Sequence, residues 1–83
     1  MPLYIDVHKK IEGLTAEAVM EAHAKDVAIQ ADYGVKFVKY WYDETTGMIF
    51  CFAEAPSAEA MDSVHRHAHG IQADEIYEVK EGI

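Results

Sequence analysis

The run Met48-Ile49-Phe50-Cys51-Phe52-Ala53 carries no polar side chain until Glu54, and this limits the possible folds more than any other stretch of the chain. Successive side chains of a strand point to opposite faces, so the segment is apolar on both. A sheet built around it needs two covers. The preceding segment makes the same demand. Val35 to Tyr42 offers Val35, Phe37 and Trp41 to one side and Val38, Tyr40 and Tyr42 to the other, and is rich in the β-branched and aromatic residues that strands favour. Between the two, Asp43-Glu44-Thr45-Thr46-Gly47 reads as a hairpin loop.

The rest of the chain supplies one cover. Leu3 to His8 alternates, with Ile5 and Val7 on one face and Tyr4, Asp6 and His8 on the other. Thr15 can cap a helix that runs to about Tyr33, with Glu17 in its first turn and Gly34 as its stop. Ser57 can cap a second helix through Ala58, Met61, Val64 and Ala68, ending at Gly70. A last strand follows over Ile76 to Lys80. The order is βαββαβ, an α+β chain of ferredoxin-like plan forming a single domain over residues 1–83. It predicts a four-stranded antiparallel sheet with both helices on one face. A second copy of the same sheet can cover the other face, which predicts a two-fold homodimer through the sheet. A domain this small buries a modest core, so partner surface is a natural remedy.

Composition narrows the function. Fifteen acidic residues against seven basic give a formal charge of -8, which argues against nucleic-acid binding, where basic patches are required. The acidic balance suits a solvated surface and mildly attracts cations. No apolar stretch is long enough to span a membrane, and Met1-Pro2-Leu3 leads into a strand without a signal peptide. A reducing cytoplasm is the default compartment. The lone Cys51 excludes an internal disulfide and sits in an apolar run, where it reads as a buried, inert thiol.

Chemistry concentrates in five histidines. His65 and His69 are four apart on the second helix and share a face, so both imidazoles can reach one metal ion. His67 falls on the opposite side and reads as solvated. Spacing alone also fits partly exposed histidines at a helix end. On the first helix, Val19, Ala22, Asp26 and Ile29 form the core face, with His23 at its margin and next to Asp26. That pair can equally satisfy itself. Asp6 and His8 share a face of the first strand. Where that face meets the helices, Asp6, His8, His23, Asp26, His65 and His69 converge; where it faces the dimer interior, His8 is cut off. Imidazoles with a few carboxylates suit nickel, zinc or copper and suit calcium or magnesium poorly. Ligating imidazoles usually bond a carboxylate through their second nitrogen, and Asp6 and Asp26 are placed for that supporting role. Cys51 would be a soft additional ligand.

Nucleophilic catalysis finds little support. Thr15 and Ser57 are helix caps, Ser63 lacks a partner motif, and no glycine-rich phosphate loop is present. The aromatics Tyr40, Trp41, Tyr42, Phe50 and Phe52 can line an apolar pocket but serve equally as core.

These segments together resemble a family of small bacterial nickel-binding proteins of the streptomycete type. The likeness runs through Asp6-Val7-His8, Leu14-Thr15-Ala16-Glu17, Ala22-His23 with Asp26, and Gly34-Val35-x-Phe37. It continues through Phe50-Cys51, Glu54-Ala55-Pro56-Ser57-x-Glu59-Ala60, Val64-His65 and Ala73-Asp74-Glu75-Ile76-x-Glu78-Val79. The order and spacing carry the likeness, which covers nearly the whole chain. It implies a ferredoxin-like fold, a homodimeric α+β barrel and binding of nickel or a similar ion. It carries onto His8, His23 and His65, while His69 rests on spacing.

The leading expectation is a cytoplasmic metal-binding homodimer holding nickel or zinc through His8, His23, His65 and His69, for sequestration or delivery. Protons compete for the same nitrogens, so binding should fail below about pH 6. The rival is a small dimeric α+β-barrel enzyme or ligand-binding module, similar to the antibiotic-biosynthesis monooxygenases, with His23 and Asp26 as an acid–base pair.

Overall fold

A computed structural model describes residues 1–83. Its elements are β1 (Leu3–His8), α1 (Ala16–Ile29), a 3-10 turn (Gln30–Tyr33), β2 (Lys36–Asp43), β3 (Met48–Glu54), α2 (Ala58–Ala68) and β4 (Glu75–Val79). The four strands form one antiparallel sheet in the order β2-β3-β1-β4. Both helices lie on one face, which is the ferredoxin-like arrangement. No helix is long and apolar enough to cross a membrane.

The helix starts follow from their caps. Thr15 Oγ1 accepts from the Ala18 N–H at 3.1 Å, and Ser57 Oγ accepts from the Ala60 N–H at 3.1 Å. The first helix was expected to run unbroken to about Tyr33. Instead α1 closes at Ile29, and the chain tightens into the 3-10 turn before Gly34 reverses it at φ 69°. The Gln30 side chain then accepts from the Phe37 N–H at 3.0 Å, which ties this turn to the start of β2.

Between Phe37 and Lys39 the β2–β3 register shifts: Phe37 pairs with Ala53, but Lys39 pairs with Phe52. Val38 is the extra residue of a bulge, and one extra residue reverses the facing of everything beyond it. Simple alternation put Phe37 and Trp41 on one face. The structure instead places Phe37 and Tyr40 under the helices and Trp41 on the open face. Thus two aromatics meet the helix side, where each stands against a histidine.

The core between sheet and helices includes Val19, Phe37, Ile49, Ala53, Met61 and Val64. Met61 is completely buried, and Met61→Ala is expected to cost about 2–5 kcal/mol through lost transfer energy and a cavity, read as a lower midpoint in urea unfolding. The opposite sheet face is uncovered. Leu3, Ile5, Trp41, Phe52 and Val79 line a shallow apolar groove there, and Trp41 and Tyr77 are each 51% exposed.

Candidate metal centre

In β1, Tyr4, Asp6 and His8 pair with Ala53, Cys51 and Ile49, all of them buried on the helix side. Asp6 and His8 therefore face the helices, while Ile5 falls on the open face. On α2, His65 lies on the same buried stripe as Met61 and Val64. Asp26 is one of two fully buried residues of α1, beside Val19. Three elements thus aim polar side chains into an otherwise apolar core, where each must find a partner.

His65 is the hub. Its Nε2 lies 2.6 Å from Asp6 Oδ2 and its Nδ1 lies 3.0 Å from Asp26 Oδ1. Asp6 Oδ1 stands 3.1 Å from His8 Nε2. The His8 and His65 rings meet edge to face with centroids 4.8 Å apart, and Phe37 packs on His65 at 5.0 Å. His69 also reaches Asp26, with Nε2 at 3.1 Å from Oδ1, while its Nδ1 accepts from the Ile71 N–H at 3.1 Å. The i, i+4 pair does converge, but it meets on a shared carboxylate.

His23 adjoins these groups without bonding to them. It lines the same small cavity as His8, Cys51 and His65, a space of about 30 Å³. Its ring stands against Tyr40, centroids 4.7 Å apart, and Asp26 bonds to His65 and His69 instead. His67 lies off the site, stacked on Tyr33 and hydrogen-bonded to its hydroxyl.

Two donor groups result. Asp6, His8, Cys51 and His65, all buried, have ligand atoms within 4.8 Å of one another; Asp26, His65 and His69 form a second such group. The arrangement joins Cys51 to the first group through its register opposite Asp6. Its place beside Asp6 arises from cross-strand register, which spacing along the chain does not show.

Proton affinities reflect the crowding. Burial works against charge on His65, but hydrogen bonds to Asp26 and Asp6, with Cys51 nearby, push it up to about 12. Burial likewise opposes charge on His8, yet Asp6 and Cys51 raise it to about 9. Burial would raise Asp6, but His65 and His8 hold it down at about 2. Asp26 is lowered in the same way, burial being outweighed by His65 and His69. Two carboxylates and two imidazoliums balance in a core that tolerates no net charge.

The family model described as nickel responsive protein SCO4226-like matches residues 4–79. The chain belongs to this family. No curated protein matches it. The crystal structure of SCO4226 from Streptomyces coelicolor A3(2) is similar with a TM-score of 0.91 at 41% identity, covering 98% of this chain and 99% of that chain. In this SCO4226-like chain the first donor group combines two imidazoles, a carboxylate and a thiol, a mixed set that suits divalent transition metals. Within it His8 Nδ1 is buried without a hydrogen-bond partner, and Asp6 Oδ1 has only its 3.1 Å ion-pair contact with His8 Nε2. Unsatisfied buried atoms are costly in a native core and fit ligand positions.

Proposed function

We propose that this protein binds nickel in the core beneath α2, through His65 and His8 with Asp6 and Cys51, and serves to sequester or deliver the ion in the cytoplasm. The observation that carries this reading is the convergence of four buried donor groups on one spot, with His8 Nδ1 left without a partner. Charge supports it as well. One divalent ion taking the place of the two imidazolium protons keeps that balance, and a Cys51 thiolate would add a single negative charge. Donor chemistry alone admits zinc equally; the family description favours nickel. In this reading Asp26 stands behind His65 Nδ1 in the carboxylate–histidine–metal arrangement, and His23 flanks the cavity without coordinating.

The test is a nickel titration of tag-free protein followed by calorimetry and absorption. About one tight ion per chain, with a sulfur-to-nickel charge-transfer band, is expected. Cys51→Ser should remove the band, and His67→Ala, which alters a histidine outside the site, should leave uptake intact. Stoichiometry far below one ion per chain would discard the reading.

We also propose that the apolar sheet face is closed by a second copy of the chain. The exposed Trp41 and Tyr77 beside the groove of Leu3, Ile5 and Phe52 support this. Trp41→Glu is expected to convert a dimer to a monomer in sedimentation velocity, since it buries an unpaired charge at the centre of the contact. A wild-type protein that sediments as a monomer at high micromolar concentration would remove the proposal.

A further inference from the structure

His69 holds no nitrogen free. A left-handed residue, Gly70 at φ 82°, turns the chain after α2 and brings the Ile71 N–H onto His69 Nδ1 at 3.1 Å. That bond fixes the tautomer: Nδ1 accepts, so Nε2 carries the hydrogen. Nε2 lies 3.1 Å from Asp26 Oδ1, within ion-pair distance. The same oxygen receives His65 Nδ1–H at 3.0 Å. A chain of polar contacts therefore runs from the Ile71 backbone through His69 and Asp26 to His65, and ends at Nε2 among Asp6, His8 and Cys51.

We propose that His69 is a positioning residue for the metal ligand His65, acting through Asp26: by donating to the carboxylate it fixes the side of the His65 ring that keeps its hydrogen, and so presents the opposite nitrogen to the metal. This rests on the nickel-binding reading above. The physical need is specific. A neutral imidazole has two tautomers, and only the one protonated on Nδ1 leaves Nε2 as a ligand lone pair. Asp26 selects that tautomer, but a carboxylate on a helix side chain can rotate. His69, itself held by backbone at the helix end, anchors the oxygen that does the selecting. For Nε2 of His65 to serve as a ligand its proton would pass to solvent, while the proton on Nδ1 would stay on that nitrogen, donated to Asp26 Oδ1. His69 contributes no ligand atom in this arrangement. The spacing of four that suggests a metal-binding pair serves instead to let two histidines grip one carboxylate from consecutive turns.

The experiment measures nickel release from loaded protein into excess chelator for wild type, His69→Ala and His69→Gln, together with proton spectra of the cobalt(II)-loaded proteins. Loss of a partner that orients a ligand typically weakens metal retention about 10- to 100-fold, so His69→Ala is expected to release nickel at least about tenfold faster. Its His65 Nδ1–H resonance, shifted by the cobalt ion, should exchange rapidly with solvent where the wild-type resonance is protected. Glutamine can still donate to Asp26 and should restore most of both properties. Release at the wild-type rate from His69→Ala overturns the proposal. So does an alanine variant that is faster but not rescued by glutamine, with the ring resonance still protected, since that is the signature of general loosening. If His69→Ala does not fold, the wild-type spectrum decides: a cobalt-loaded protein without a protected His65 Nδ1–H excludes the relay. A wild-type chain that takes up no nickel fails at the titration step and rejects the function itself, which keeps the two outcomes apart.

Discussion

Asp6→Ala is expected to remove about 3–5 kcal/mol of stability from the metal-free protein, because it breaks a buried ion pair on one side only. Asp6 is fully buried and stands between two imidazoles, 2.6 Å from His65 Nε2 and 3.1 Å from His8 Nε2. Removing it leaves both rings facing each other with no counter-charge except Asp26. Domains of this kind have only about 5–15 kcal/mol in total. The loss should therefore lower the melting temperature by about 12–40 °C, at the steep sensitivity typical of small domains. A thermodynamic cycle separates this from simple cavity formation. If the penalty comes from the stranded charge, combining Asp6→Ala with His65→Met should cost less than the two single losses added together, since the double variant no longer strands the His65 imidazolium and leaves only His8 without its carboxylate. Additive losses, or a single-variant loss below about 1 kcal/mol as for a surface site, would show that Asp6 and His65 are not coupled in the way their 2.6 Å contact requires.

The same contacts show what a sequence can and cannot disclose. Element order, both N-caps and the stop at Gly34 follow from short-range rules, and each is visible in the chain itself. The bulge at Val38 is not, because a slip of one residue leaves no mark in a segment that is apolar on both faces, and it exchanges the surroundings of Phe37 and Trp41. The first strand is similarly ambiguous: Tyr4 and Ile5 can each face a core, and only tertiary packing turns Asp6 and His8 toward α2. Cys51 reads as core because its relation to Asp6 arises from cross-strand register, not from spacing along the chain. The closeness of His65 to His69 was legible from helical geometry. Its meaning was not, since the Ile71 N–H that occupies one His69 nitrogen depends on a left-handed turn at Gly70.

Nickel uptake is expected to strengthen steeply with pH, with at least about two protons released per ion near neutrality. An ordinary histidine would cease to compete near pH 6, but here His8 is raised to about 9 and His65 to about 12. Both are protonated in the metal-free protein at pH 7, so both protons must leave for the nitrogens to coordinate, and coordination by Cys51 would release a third. The metal-free fold responds in the opposite sense. Groups with raised affinity for protons contribute their full stability below the unfolded value of 6.5 and lose it as pH climbs, first through about 9 and then toward about 12. Asp6, held at about 2, contributes above its unfolded 3.8 and fades as pH falls toward 2. Metal-free stability should therefore plateau between about pH 4 and 6.5 and decline on the alkaline side. Loaded protein should not share that decline, because the ion replaces the departing protons as the counter-charge to Asp6 and Asp26. The stabilisation conferred by nickel, read as the difference in melting temperature with and without the ion, should widen from pH 6.5 to 9. Calorimetry in buffers of differing ionisation enthalpy counts the protons directly. A count near zero would mean that His8 and His65 are neutral before the metal arrives, and that the paired carboxylates do not hold their protons in place.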